Sequence, residues 1–146
     1  MTGQKIASIC EQLDSSPTPR HLVDFISLHL LKAKFVDFTN KSINKSKSGF
    51  VVNAGSIVAW RTGTKTAENG FRIVGAHTDS PCLRIKQNPD DKKFGFNTLS
   101  VEIYGSPLLN SWLDRDLGIA GHVVTRSGEI RLFDSHQKKQ MHILYC

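Results

Sequence analysis

Val74-Gly75-Ala76-His77-Thr78-Asp79-Ser80-Pro81 is the stretch whose reading decides the fold. The run from Phe71 to Ala76 is short and apolar, the pattern of a buried strand. It ends in small residues and then presents a histidine, a hydroxyl, a carboxylate and a proline. Ligands in open α/β sheets gather just past the carboxyl ends of strands, so such a strand would deliver His77 to a functional edge. His77 and Asp79 are two apart and leave an extended chain on the same side. Asp79 can then lie beside the imidazole. A carboxylate that accepts one ring N–H fixes the tautomer and leaves the other nitrogen's lone pair for a metal. Pro81 restricts Ser80 to extended geometry and stiffens the exit. The same residues also fit a strand running into a polar turn that holds a hydrogen-bonded His–Asp pair, and the local pattern leaves both readings open.

Upstream, Ile6, Ile9, Cys10 and Leu13 fall at helical spacing and predict a short amphipathic helix that Ser15-Ser16-Pro17 breaks. Thr18 then reads as an N-cap with Pro19 at the first helical position. Leu22, Phe25, Ile26 and Leu30 form the stripe of a second helix ending near Lys34. His21 and His29 lie on that helix and read as ordinary helical residues rather than metal ligands. Phe35 to Phe38 is strand-like. Phe50-Val51-Val52 and Ile57-Val58-Ala59-Trp60, separated by Asn53-Ala54-Gly55-Ser56, predict a hairpin. Arg61 to Gly70 reads as a polar loop. Helices followed by a hairpin and a central strand suggest an α/β or α+β layer.

Downstream the texture changes. Leu83 to Lys86 alternates apolar and basic, Asn88 to Lys93 reads as a turn or flexible loop, and Leu99 to Tyr104 alternates as a half-exposed strand would. His122 to Thr125 and Glu129 to Phe133 flank Arg126-Ser127-Gly128 as a second hairpin. This part reads as all-β, with a change of domain near residues 82 to 88. Asp114 and Asp116 beside Trp112 could coordinate a metal, but with no nearby histidine an ion-paired turn is the preferred reading, since metal sites need several converging ligands. Cys82 reads as a small buried thiol, His122 and His136 as surface residues, and Trp60 and Trp112 as packing residues.

The bulk numbers fit one soluble globular chain. It has 146 residues, 39% hydrophobic and 22% charged. No apolar run approaches the roughly 20 residues that cross a bilayer, and Met1 to Cys10 lacks the basic start and apolar core of a secretory signal. Three cysteines with no repeating spacing, Cys10, Cys82 and Cys146, argue against a disulfide framework. A cytoplasmic location follows. The net charge is +6, but Lys and Arg are scattered. Lys41, Lys45 and Lys47 lie in a Ser/Asn-rich segment with no aromatic before Phe50, so the reading is a solvated loop and no nucleic-acid partner.

Val74 to Lys86 closely resembles the signature of the aspartyl aminopeptidase family of dinuclear zinc metallopeptidases. Val101-Glu102-Ile103-Tyr104-Gly105, Trp112 to Gly121, and Ser15-Ser16-Pro17-Thr18-Pro19 match that family in order and approximate spacing. The resemblance runs through most of the chain, to about Ser135. It implies removal of single, often acidic, residues from peptide amino termini by two metal ions, usually zinc, that share a bridging carboxylate, with a glutamate as general base. Such a centre polarises the scissile carbonyl and generates hydroxide near neutral pH. The resemblance implies that His77 is a zinc ligand and that Asp79, the catalytic-site residue behind it, orients that ligand. It implies an α/β fold: part of a catalytic domain with helices packed on a mixed sheet over residues 1–85, then the start of a β-rich inserted oligomerisation domain over residues 86–146. The partners it implies are peptides with a free amino terminus, no membrane, and further copies of the full-length chain in a homo-oligomer.

Family members are much longer, and their bridging carboxylate, base and remaining ligands lie beyond the matched motifs. The segment Gln137 to Cys146 leaves the family's pattern, and His142 does not sit at the position of the family's next histidine. One histidine cannot build a catalytic zinc site, which takes three protein ligands. The expectation is an amino-terminal fragment of about the leading third, inactive alone. Two alternatives stand beside it: a truncated, non-catalytic fragment acting only through oligomeric association by exposed strand edges, and a fragment that barely folds because its core strand lacks neighbours.

Overall fold

The computed structural model describes residues 2–43, 45–64 and 70–135. The chain divides into two compact units, Met1–Asp79 with Gly121–Leu132, and Ser80–Ala120 with Phe133–Cys146. It is a mixed α/β protein, as expected.

Helix α1 spans Thr2–Asp14 and carries the anticipated stripe, although Ile6, Ile9 and Leu13 are all exposed. Helix α2 spans Pro19–Lys32. Thr18 is extended at its start, Pro19 opens it, and the Thr18 hydroxyl accepts the His21 N–H at 3.5 Å. At the other end Phe35 N–H donates to the Leu30 carbonyl and Lys34 N–H to the Leu31 carbonyl, with Lys34 at φ 66°. That pair of bonds around a left-handed residue is the Schellman motif, here closed by a lysine where glycine is usual.

The first sheet has the order β1-β2-β3. Strand β1, Val36–Asp37, runs parallel to β2, Ser48–Asn53, and β2 pairs antiparallel with β3, Ser56–Arg61, with Phe50 opposite Ala59. The expected hairpin is therefore present, turning at Ala54 and Gly55. Among the described residues the buried apolar side chains are Val23, Phe38 and Phe50, so the core lies between α2 and this sheet. Trp60 stacks on Phe38 with ring centroids 5.6 Å apart, a packing role as anticipated. Each such side chain contributes roughly 1.5–3 kcal/mol when fully buried.

In the second unit β4, Cys82–Lys93, pairs antiparallel with β5, Phe96–Tyr104. Ile85 faces Val101 and Asp90 faces Leu99, so the four residues Lys86 to Pro89 oppose Ser100 alone in an irregular bulge. A 3₁₀ turn at Leu109–Trp112 follows. Strands β6, Ala120–Val124, and β7, Ile130–Asp134, pair as the second anticipated hairpin. Its turn is closed by Gly128 N–H on the Thr125 carbonyl, with Gly128 at φ 82°.

Two expectations fail. Asn88 to Lys93 is not a loop. It lies in β4, and the turn falls at Phe94 and Gly95, both at positive φ (53° and 83°). The polar composition suggested a turn, but the register supplies partners for Asp90 to Lys93. Pro89, which has no N–H to give a ladder, sits in the bulge. Phe71 to Ala76 is not a strand either. It has no regular secondary structure, and Phe71, Ile73 and Val74 are 85%, 88% and 98% exposed. A strand apolar on both faces needs neighbours on each side and cover above and below. The described chain gives this segment none of those.

Candidate functional site

His77, Thr78 and Asp79 follow that exposed apolar segment directly. The His77 side chain is 80% exposed and the Asp79 side chain 44%. His77 Nδ1 lies 2.7 Å from the main-chain carbonyl oxygen of Asp79 and 3.6 Å from its carboxylate Oδ1. A carbonyl oxygen only accepts, so Nδ1 carries the hydrogen and Nε2 keeps its lone pair. The two residues do come together as the spacing suggests. The acceptor differs from expectation: it is the backbone of Asp79, with the carboxylate a little farther out.

Thr78 lies between them and is part-buried. Its hydroxyl donates to the Gly55 carbonyl at 2.7 Å, across 23 residues, into the β2–β3 turn. That turn rests on the start of α2, because a Cβ on Gly55 would lie 2.7 Å from the Pro19 Cβ. The cap that starts α2 and the turn that closes the first hairpin therefore bear on the same segment. Local pattern could not reveal this link. Gly55 reads as a turn glycine and Thr78 as one hydroxyl in a polar run.

The other candidates are placed as ordinary residues. His21 Nδ1 lies 2.7 Å from the Thr18 hydroxyl, and His29 Nδ1–H donates to the Phe25 carbonyl at 2.8 Å. Asp114, at φ 54°, and Asp116 are exposed. Cys82 is a free, partly buried thiol in β4, and His122 is exposed in β6. His136 and His142 lie outside the described residues. Among the described residues no group of three or more His, Cys, Asp or Glu side chains is placed to hold a metal ion. A catalytic zinc site takes three protein ligands, and the described residues do not bring three together. Among the described residues no helix is long and apolar enough to cross a membrane.

The comparisons with known proteins agree with one another. Residues 12–144 match the family model described as aminopeptidase I zinc metalloprotease (M18). A curated relative, the probable M18 family aminopeptidase 2 of Streptomyces coelicolor, is 48% identical over 125 residues, which is 84% of this chain and 29% of the relative. The chain thus spans under a third of that relative's length. Among solved structures, the mApe1 dodecamer of S. cerevisiae superposes with a TM-score of 0.79 at 29% identity, covering 92% of this chain and 34% of that one. The M18 aminopeptidase of Thermotoga maritima superposes with a TM-score of 0.79 at 25% identity, covering 90% and 30%.

Proposed function

The chain belongs to the M18 aminopeptidase family, and on that premise we propose that it is the amino-terminal part of a zinc-dependent aminopeptidase that removes acidic residues from peptide amino termini. In this reading His77 is one zinc ligand, and Asp79 orients it through its carbonyl while placing a carboxylate near the ring. The observation that carries the reading is the His77 imidazole, whose Nδ1–H is held by a carbonyl while the ring stands exposed with the Nε2 lone pair available. A bound zinc would supply Lewis-acid polarisation of the scissile carbonyl.

Among the described residues no three donors converge on such a centre, and in this reading the 146-residue chain alone retains zinc poorly and hydrolyses nothing. Residues 86–146 begin a β-rich inserted domain through which full-length copies assemble into a homo-oligomer. The substrates are peptides with a free amino terminus, without nucleic acid or membrane, in the cytoplasm, where Cys10 and Cys82 stay as free thiols.

The test is a chimera in which residues 12–135 replace the matching segment of the Streptomyces coelicolor relative. It should release amino-terminal Asp or Glu in a metal-dependent way. His77→Ala in that chimera should lower kcat/KM by at least about a hundredfold and reduce bound zinc measured by mass spectrometry. Full activity in the alanine variant removes His77 from the ligand set.

A second reading, association without catalysis, is favoured by one observation: Phe71, Ile73 and Val74 are almost fully exposed in sequence succession. Light scattering coupled to size exclusion separates the two. Association that Ile73→Asp abolishes supports the second reading, and a clean monomer removes it.

A further inference from the structure

We infer that Thr78 is the positioning residue of this site: its hydroxyl, tied to the Gly55 carbonyl, holds the 77–79 segment so that His77 keeps Nδ1–H on the Asp79 carbonyl and presents Nε2. The inference rests on the reading of His77 as a metal-directed imidazole and adds to it the residue that sets the ring's protonation pattern.

Three observations carry it. The Thr78 hydroxyl is part-buried and bonds at 2.7 Å to a carbonyl 23 residues away, whereas the neighbouring His77 is 80% exposed. An exposed histidine with no acceptor beneath Nδ1 favours the Nε2–H form, so an Nδ1–H ring needs a held acceptor. Something rigid must hold the acceptor beneath the ring. Thr78 stands between the other two, so anchoring its hydroxyl restrains the backbone that carries both His77 and Asp79. The anchor is itself fixed, since the Gly55 turn abuts Pro19 closely enough that a Cβ at 55 would lie 2.7 Å from the Pro19 Cβ. Pro19 in turn is the first residue of the capped helix α2. Support thus runs from a helix start, through a hairpin turn and one hydroxyl, to an imidazole. The segment before it, Phe71 to Ala76, belongs to no sheet, so this hydroxyl is a principal tie on the site.

The hydroxyl, not the bulk, is what the role requires. Thr78→Val keeps the shape and removes the donor, leaving the Gly55 carbonyl without it. Thr78→Ser keeps the donor. The first readout is the tautomer of His77 in the metal-free 146-residue chain at pH 8, by long-range proton–nitrogen NMR of the imidazole. In the wild-type chain the Nδ1–H form should dominate. Thr78→Val should shift the ring toward the Nε2–H form that a histidine in open solvent favours, and Thr78→Ser should restore the wild-type ratio. The second readout is zinc retention by the chimera: Thr78→Val should lose the ion about 10–100-fold more readily, and Thr78→Ser should not.

A wild-type tautomer ratio in Thr78→Val overturns the inference, as does loss of the Nδ1–H form in Thr78→Ser. If Thr78→Val does not fold, the wild-type chain and Thr78→Ser decide, and an Nε2–H ring in either is fatal. The two layers fail separately. Activity in the His77→Ala chimera defeats the ligand assignment and leaves the tautomer result standing. An unchanged tautomer in Thr78→Val defeats the positioning role and leaves the ligand result standing.

Discussion

Asp37 shows how a short hydrogen-bonded turn stores acid-sensitive stability. Its carboxylate accepts the Thr39 hydroxyl at 2.6 Å and the Thr39 N–H at 2.8 Å. The hydroxyl bond, then the N–H bond, hold the carboxyl below its ordinary value; partial burial opposes them and Lys41 adds a little in their favour. A depressed pKa in the folded state means stability that is fully present above the ordinary carboxylate value near 3.9 and is lost as pH falls through the folded value. Asp37→Asn should therefore melt below wild type by a constant margin above about pH 5, with the gap closing below about pH 4. A gap that persists unchanged at low pH would show that the charge is not what the two bonds stabilise. At this scale the site was half legible. Residue identity and spacing gave His77 and Asp79 as neighbours on one side. They could not give the acceptor, because a main-chain carbonyl belongs to every residue and leaves no mark in a sequence.

At the scale of elements, the helices and both hairpins were readable because their signals are local: Thr18 and Pro19 start α2, and Gly128 closes the β6–β7 turn. The helical periodicity ends α2 near Lys34 and carries no sign of what that ending costs. Lys34 sits at φ 66° in a position that glycine fills with little strain. Lys34→Gly should therefore stabilise the chain by about 1 kcal/mol, which for this length raises Tm by roughly 2–4 °C. A lower Tm would mean that the lysine side chain makes a contact outweighing the strain. The misread elements failed for the opposite reason. Asn88 to Lys93 carries turn residues, and only the pairing of Asp90 with Leu99 and of Lys93 with Phe96 makes it a strand. Phe71 to Ala76 carries strand residues, and only partners distant in sequence could make it one.

For the whole molecule, the family and the mixed α/β class were legible because several motifs occur in the right order. The small size of the described core was not, since composition counts apolar residues without saying how many find cover. A protease cleft accepts a peptide laid out flat, and exposed segments of irregular backbone are nicked first. Phe71 meets that demand: it is 85% exposed in a stretch free of regular structure. Phe94 is as accessible but is folded into a tight turn at φ 53°, and Phe38 and Phe50 are shielded. Brief chymotrypsin digestion should thus sever the bond after Phe71 before that after any other phenylalanine, and the fragment masses would read out the cut.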